Sequence, residues 1–412
     1  PLKALSINSS IYDRELLEKK DRSLARELIE TFGADVNIPF SIDYSNVTLL
    51  MNICAQGDFN FARYLIEERG ADINFRNAFG CSALTEALRN EGHLDLSTYL
   101  IGQGAAVNVR AYHETPLLLA CKHGQRDEFR LAKFLIQSCG ADVNVENGHG
   151  ETPLMFFLKS GDFNFSKILI ETYGASIKSS HSWPGDDALE IACRLGNLAF
   201  VRFLVEEQKA EVNLKDPYLM GYQPLYIACQ EGHVEVADYL IAHGAAVDSR
   251  SRYQRTPLMA AIGMGGFLPR TSKRLAFIRS FVEVHRMDIN AEDYVGATVV
   301  SLACSSHFFS AAMFLIAQGA ETGFSRGSVG ERLLTDICGL VITDPEQERG
   351  RMALVSYLVE KCGTSLQFII KNIVWYGWTS PLHQSCRASN LAMSLYLVGQ
   401  GASLRLQWSK TQ

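Results

Sequence analysis

The sequence predicts an all-α solenoid: a single elongated stack of helix–turn–helix units joined by extended finger loops. Three observations predict it. A small-residue pair recurs at Gly33-Ala34, Gly70-Ala71, Gly104-Ala105, Gly140-Ala141, Gly174-Ala175, Gly244-Ala245, Gly319-Ala320 and Gly401-Ala402. Degenerate copies at Lys209-Ala210, Arg286-Met287 and Gly363-Thr364 fill the gaps, so the pairs stand 33 to 44 residues apart, the period of a repeat array. A second marker keeps step with the first: Thr115-Pro116-Leu117, Thr152-Pro153-Leu154, Thr256-Pro257-Leu258 and Ser380-Pro381-Leu382, with weaker copies from Thr48, Ser82, Asp187, Gln223 and Thr298. Between the markers each unit carries two apolar stretches at helical spacing.

One unit shows how the elements arise. Thr115 offers a hydroxyl cap, and Pro116 suits a first helical turn, where its missing N–H costs nothing. Leu117, Ala120 and Cys121 fall three and four apart and make one apolar face, and Gly124 ends that helix. Leu131, Phe134, Leu135 and Ile136 make the face of a second helix, which Gly140 ends in turn. Val143-Asn144 then leads into an extended finger. Neither helix is amphipathic enough to stand alone in water, so stacking must bury both faces.

These residues resemble the ankyrin repeat. Thr115-Pro116-Leu117-Leu118-Leu119-Ala120 and Thr256-Pro257-Leu258-Met259-Ala260-Ala261 look like its opening signature, and Pro381-Leu382-His383 supplies the histidine. Gly70-Ala71-Asp72-Ile73-Asn74 and Gly140-Ala141-Asp142-Val143-Asn144 look like its closing motif. The resemblance implies an N-terminal segment or cap over 1–20, about eleven repeats over 21–405, and a tail over 406–412. Inserts are expected near 263–273 and 343–351, and the loop 176–185 lacks the usual Asp-Val-Asn.

Composition narrows the function classes. Hydrophobic residues make up 47% and charged residues 20%, a globular balance. The net charge of −6 excludes a generally basic nucleic-acid binder. The longest run without Asp, Glu, Lys or Arg, Tyr294 to Ala320, has the length of a membrane span. Its serines, His307 and bracketing glycines argue against one. The start of the chain lacks a signal-peptide layout. A soluble, cytoplasmic protein is expected, with a nuclear location or secretion into a host cell left open.

The chemistry-bearing residues fall into structural slots. Cys54, Cys121, Cys193, Cys229, Cys304, Cys338 and Cys386 share one repeat position, which needs a small buried side chain. Cys139 and Cys362 share another, and Cys81 stands beside a finger tip. No cysteine pair has zinc spacing, and the ten histidines show no ligand pattern; His93 and His233 fill a Gly-His turn. There is no phosphate-binding loop and no nucleophile elbow, and paired acids such as Glu67-Glu68 read as solvated faces. No catalytic residue, cofactor or metal is expected.

Two surfaces remain. From Arg250 to Arg286 eight basic residues meet one acid, Glu283. The expected patch holds Arg250, Arg252, Arg255, Arg270, Lys273 and Arg274, suited to an acidic or phosphorylated ligand or nucleic acid, unless the run is simply solvated. Before each helix-opening Thr stands a tip residue, often aromatic or His: Phe79, Tyr112, His149, Trp183, Tyr218, Tyr253 and Tyr294. His113, Tyr222, Arg255, Trp375 and Trp378 lie close by in sequence, and Lys122 and His123 end a first helix. The resemblance implies that fingers and first helices line a concave groove for protein partners, where aromatic residues and Arg anchor best. The expected function is non-catalytic protein–protein interaction, as a scaffold, an adaptor or a subunit of a large assembly, with the partner unidentified and the oligomeric state open.

Overall fold

The computed structural model describes residues 23–42, 45–89, 93–123, 129–178, 187–213, 223–263, 272–321, 329–342, 344–360, 366, 370–372 and 377–402. The chain divides into two compact units, 1–191 and 192–412. The first opens with α1 (Ser23–Phe32) and a hairpin of β1 (Phe40–Ile42) and β2 (Ser45–Val47). Helical pairs follow: α2 (Leu49–Gln56) with α3 (Phe59–Glu67), α4 (Ala83–Arg89) with α5 (Leu94–Gly102), α6 (Pro116–His123) with α7 (Arg130–Cys139), and α8 (Pro153–Ser160) with α9 (Phe163–Tyr173). Next come α10 (Ala188–Arg194) and α11 (Leu198–Arg202), the latter continued by a π-helical turn, Phe203–Glu207.

The second unit continues with α12 (Pro224–Glu231) and α13 (Val234–Ala242), α14 (Pro257–Gly263) and α15 (Ser272–Glu283), and α16 (Val299–Ser305) and α17 (Phe309–Ala317). After these come α18 (Val329–Cys338) and α19 (Pro345–Glu360), the hairpin β3 (Ile370–Asn372) with β4 (Gly377–Thr379), and α20 (Pro381–Arg387) with α21 (Leu391–Gly399). The uncharged run from Tyr294 to Ala320 thus resolves into the pair α16 and α17. No helix among the described residues is long and apolar enough to cross a membrane.

The caps follow the sequence logic. The Thr48, Thr152, Thr298 and Ser380 side chains accept from the backbone N–H three residues on, and a proline opens α6, α8, α12, α14 and α20. First helices stack on first helices within each unit, α2 on α4 on α6 and α12 on α14 on α16. Leu49, Leu84, Leu117, Leu154, Leu225, Leu258 and Leu382 are therefore buried one per repeat. Six of the register-matched cysteines are buried as expected: Cys54, Cys121, Cys193, Cys229, Cys304 and Cys338. Cys386 corrects the reading, because it is exposed: it lies in the last described pair, and among the described residues no later first helix covers that slot.

The turn between paired helices has one recurring geometry. The Gly57 and Asp58 N–H groups donate to Cys54 and Ile53 carbonyls at 3.2 and 3.3 Å. Gly161 and Asp162 do the same to Leu158 and Phe157, and Gly232 and His233 to Cys229 and Ala228. Two pairs interrupted by extra residues solve the problem differently. Arg274 of α15 donates from Nε to Ala261 O and from Nη2 to Ile262 O, both at 2.9 Å. Those carbonyls occupy the same repeat positions that the turn N–H groups satisfy elsewhere. Arg351 of α19 likewise donates to Ile337 O, and also to Leu340 O and Glu348. At α14 the guanidinium takes the turn's place as the cap of the first helix, and at α18 it joins the Leu340 N–H, which also donates to Ile337 O at 3.3 Å. The insert expected near 343–351 is, from 345 on, the first turns of α19, with Arg351 0% exposed.

Neighbouring repeats are tied at both ends. Asn74 Nδ2 donates to Gly104 O at 3.1 Å while its Oδ1 accepts from the Ala106 N–H at 2.8 Å. Asn37, Asn108 and Asn144 repeat this double bond in the first unit, and Asn213 in the second. On the second helices a tyrosine donates to a glutamate one repeat back: Tyr99 to Glu67, Tyr239 to Glu206 and Tyr396 to Glu360, each at 3.0 Å. The Gly-His turn histidines bridge repeats too, for His233 Nε2 meets Arg194 O at 2.9 Å.

Candidate functional site

The finger tips are built on a side-chain hinge. Asn77 Oδ1 accepts from the Phe79 and Cys81 N–H groups, closing a five-residue turn. Asn147 does so for His149 and Glu151, and Asp293 for Val295 and Ala297. In these three fingers the fourth residue takes positive φ and is Gly80, Gly150 or Gly296. Gly80 is further constrained, since a Cβ there would lie 2.3 Å from Arg110 O.

The finger at Ala111 departs from this plan. Ala111 has no hinge side chain, and the turn is one residue shorter: Ala111 and Glu114 exchange both backbone hydrogen bonds at 2.9 Å. Tyr112 therefore takes the left-handed conformation itself, at φ 56°. That region is strained for a bulky residue. The result is a fixed ring: Tyr112 stacks on Phe79 with centroids 5.0 Å apart and planes 15° apart, and the Arg89 guanidinium lies 5.1 Å from its centroid. The Tyr112 N–H also donates to Phe79 O at 3.0 Å. Phe79 remains 40% exposed and Tyr112 54%.

An open cleft adjoins this stack, lined by Tyr112, His113, Lys122, His149 and Phe156. Its acids are engaged from within. Glu114 pairs with Lys122 at 3.3 Å, and one repeat on Glu151 pairs with Lys159 at 2.8 Å; Glu86 pairs with Arg89 at 3.1 Å. Burial acts to raise the Glu151 carboxyl, but hydrogen bonds from Lys159 and Asn147 hold it below its usual range. The sequence reading did not place Glu114, Glu151 and Phe156 here. The signal was present in Glu114-Thr115-Pro116 and Glu151-Thr152-Pro153, each with a lysine eight residues after the Glu.

In the second unit Tyr253 and Tyr294 repeat the tip arrangement. The Tyr294 N–H donates to Tyr253 O at 2.8 Å, and Tyr294 is 79% exposed. Arg255 is not a free anchor, because its Nε bonds Asp293 Oδ2 at 3.2 Å. Trp183, Tyr218, Tyr222, Trp375 and Arg270 lie outside the described residues, as do the side chains of His123, Lys273 and Trp378.

Among the described residues the members of the expected basic patch do not share one face. Arg250 and Arg252 lie exposed at a finger, with Arg250 donating to Gln254 O and Glu292 O. Arg279 lies on α15 over Phe314, and Arg274 is only 7% exposed and caps α14. A run of charge that crosses finger, first helix and second helix is dealt out to three surroundings. Among the described residues no cluster of His, Cys, Asp and Glu could hold a metal ion.

Helical pairs joined by such fingers define a helical repeat protein. The family model for ankyrin repeats matches residues 16–111, 50–144, 117–216 and 208–268, more than half of the chain, and the chain belongs to that family. An ankyrin repeat and KH domain-containing protein of Caenorhabditis briggsae is 30% identical over 154 residues, covering 37% of this chain and 6% of that protein. The NF-kappa-B inhibitor cactus of Drosophila yakuba is 25% identical over 189 residues, 44% of this chain and 34% of that one. The chain spans little more than a third, or less, of these curated relatives. The crystal structure of the human ASB11 ankyrin repeat domain shares 26% identity, covering 56% of this chain and 97% of that chain, with a TM-score of 0.41. Ankyrin repeats generally serve as protein–protein interaction modules, and the fold is typically non-catalytic.

Proposed function

We propose that this chain is a non-catalytic scaffold or adaptor of the cytoplasm that binds a protein partner through its finger tips and first-helix ends. The observation that supports this reading is the Phe79–Tyr112–Arg89 cluster: two stacked, exposed rings, backed by a guanidinium and held on strained backbone beside an open cleft. Residues of these types dominate binding energy at interfaces. The first-helix faces are buried by stacking, which leaves the finger tips as the exposed aromatic surface beside them. One matched relative is named for inhibiting NF-kappa-B, which fits action on another protein.

The test is cross-linking from a photoreactive residue at position 79, followed by affinity measurement with the protein it captures. Phe79→Ala and Tyr112→Ala are each expected to weaken binding by about thirtyfold, the effect of losing an anchor worth ~2 kcal/mol. Glu171→Ala, an exposed change on α9, should leave it unaltered. Glu67 and Glu206 are poor controls, since each accepts a tyrosine hydroxyl from the next repeat. If Glu171→Ala weakens binding while the two tip changes do not, the partner sits on the second-helix side.

A further inference from the structure

Resting on that reading, we infer that the cleft beside Tyr112 takes an acidic peptide segment of its partner: one bulky apolar side chain against the Phe79–Tyr112 stack, with a neighbouring carboxylate reaching Arg89, Lys122, His113 and His149.

The apolar subsite is the stack itself. Its rings are exposed, parallel and immobilised, so a partner side chain meets a flat surface that needs no further ordering. The Tyr112 backbone sits at positive φ, and its N–H bond to Phe79 O together with the ring stack sets the ring where it stands. The neighbouring fingers show that the ordinary solution was a five-residue turn with glycine at the left-handed position.

The charge preference follows from which groups are already satisfied. Every carboxylate at the cleft is held by a cation of this chain: Glu114 by Lys122, Glu151 by Lys159, and Glu86, behind the stack, by Arg89. A cationic ligand would have to break one of those pairs. The donors, in contrast, have capacity to spare. Lys122 is more exposed than its partner Glu114 and spends one of its three N–H donors on it, and His113 and His149 are exposed on adjacent tips. A carboxylate entering between the two tips therefore adds to existing pairs rather than competing with them.

A second macromolecular class, nucleic acid, is disfavoured by the same geometry. Among the described residues the basic groups that would follow a phosphate backbone are separated onto a finger, a core cap and a second helix.

The experiment uses the full chain and a displayed library of random twelve-residue peptides. Enriched sequences are expected to combine Asp or Glu with one Trp, Phe or Leu. The best of them, made with a fluorophore, should bind at least tenfold more weakly when its acids become Asn or Gln. It should lose a similar factor on Tyr112→Gly, Tyr112→Ala and Lys122→Glu, and keep its affinity on Glu171→Ala. A basic or uncharged consensus overturns the proposal, as does an acidic peptide whose binding ignores Tyr112 and Lys122. Failure of the library to enrich anything overturns the segment class while leaving the finger-tip reading standing, since that reading is decided by the cross-linked partner.

Discussion

Tyr112 is the residue at which local chemistry and function pull apart. Its ring stacks on Phe79, but its φ of 56° is one that glycine adopts without strain. Alanine at this position removes the ring and keeps the strain; glycine removes both. Tyr112→Gly should therefore be more stable than Tyr112→Ala by about 1 kcal/mol, read from urea midpoints at a common slope. Both should lose the binding attributed to the ring. A glycine variant no more stable than the alanine one would mean the turn has relaxed and Tyr112 is unstrained in solution. The sequence made the aromatic tip legible through its place before Glu114-Thr115-Pro116. It did not show the strain, which arises because this finger is one residue shorter and has Ala111 where its neighbours have Asn77 or Asn147. Arg274 was equally opaque. Counting charge along the chain put it in a surface patch, while the fold uses it as a buried cap. The legible signal was indirect: the pair α14–α15 lacks the Gly-Asp or Gly-His turn, so its carbonyls needed another donor.

At the scale of elements, the repeat is held by side chains that reach exactly one unit forward or back. The Asn ladder supplies two hydrogen bonds per step, to a carbonyl that ends a second helix and to an N–H that opens the next finger. Asn74→Ala should cost about 1–2 kcal/mol, the value of two such bonds in a half-exposed setting. The loss should fall on the α2–α3 and α4–α5 pairs. Amide exchange around Asn74 and Gly104 would show it, and exchange that rises equally in α8 and α9 would show that the ladder is not a local tie. These ties explain why helix starts were easy to read and repeat coupling was not. Thr-Pro, Gly-Ala and Asp-Val-Asn fix where each helix begins and ends by local bonding. Which atom the Asn amide finds depends on the neighbouring repeat, which spacing alone does not give. The tyrosine–glutamate bonds between second helices were missed for the same reason: Glu67 reads as solvated charge in the sequence, while Tyr99 lies over it, as Tyr239 does over Glu206.

At the scale of the whole molecule, two properties follow from repetition. The first is an alkaline limit. Burial pushes the Cys121, Cys229 and Cys304 thiols up, and the Cys338 thiol up to about 12. A native pKa above the unfolded value means the contribution is complete below about pH 8.5 and is lost as pH rises, because only the unfolded chain releases those protons there. Tyr99 and Tyr239, pushed up to about 12 first by burial and then by Glu67 and Glu206, act with the same sign at higher pH. Stability should fall steeply above about pH 9, by ~1.4 kcal/mol per pH unit for each buried thiol, and a flat urea midpoint from pH 8 to 10 would contradict the burial. Thiol labelling at pH 8 should be fast at Cys386 and slow at the buried positions.

The second property is that damage should stay local, because each repeat touches only its neighbours. Arg351 is the sharpest place to ask. Its guanidinium bonds carbonyls of the α18 end and Glu348, and Glu348 in turn accepts from Asn390, the cap of α21. Arg351→Ala removes a donor from the Ile337 and Leu340 carbonyls, leaves Glu348 without its cation and opens a cavity the size of a side chain, for a cost of about 3 kcal/mol or more. Extra residues at 343–351 would by themselves weaken the coupling of this pair. With Arg351 in place the native protein should instead protect amides 346–358 about as well as those of α16 and α17. In Arg351→Ala, exchange should rise across α18, α19, α20 and α21 while α4, α6 and their partners keep native protection. An equal rise in all helices would mean that the repeats unfold as one, and that the buried arginine holds far more than the pair it caps.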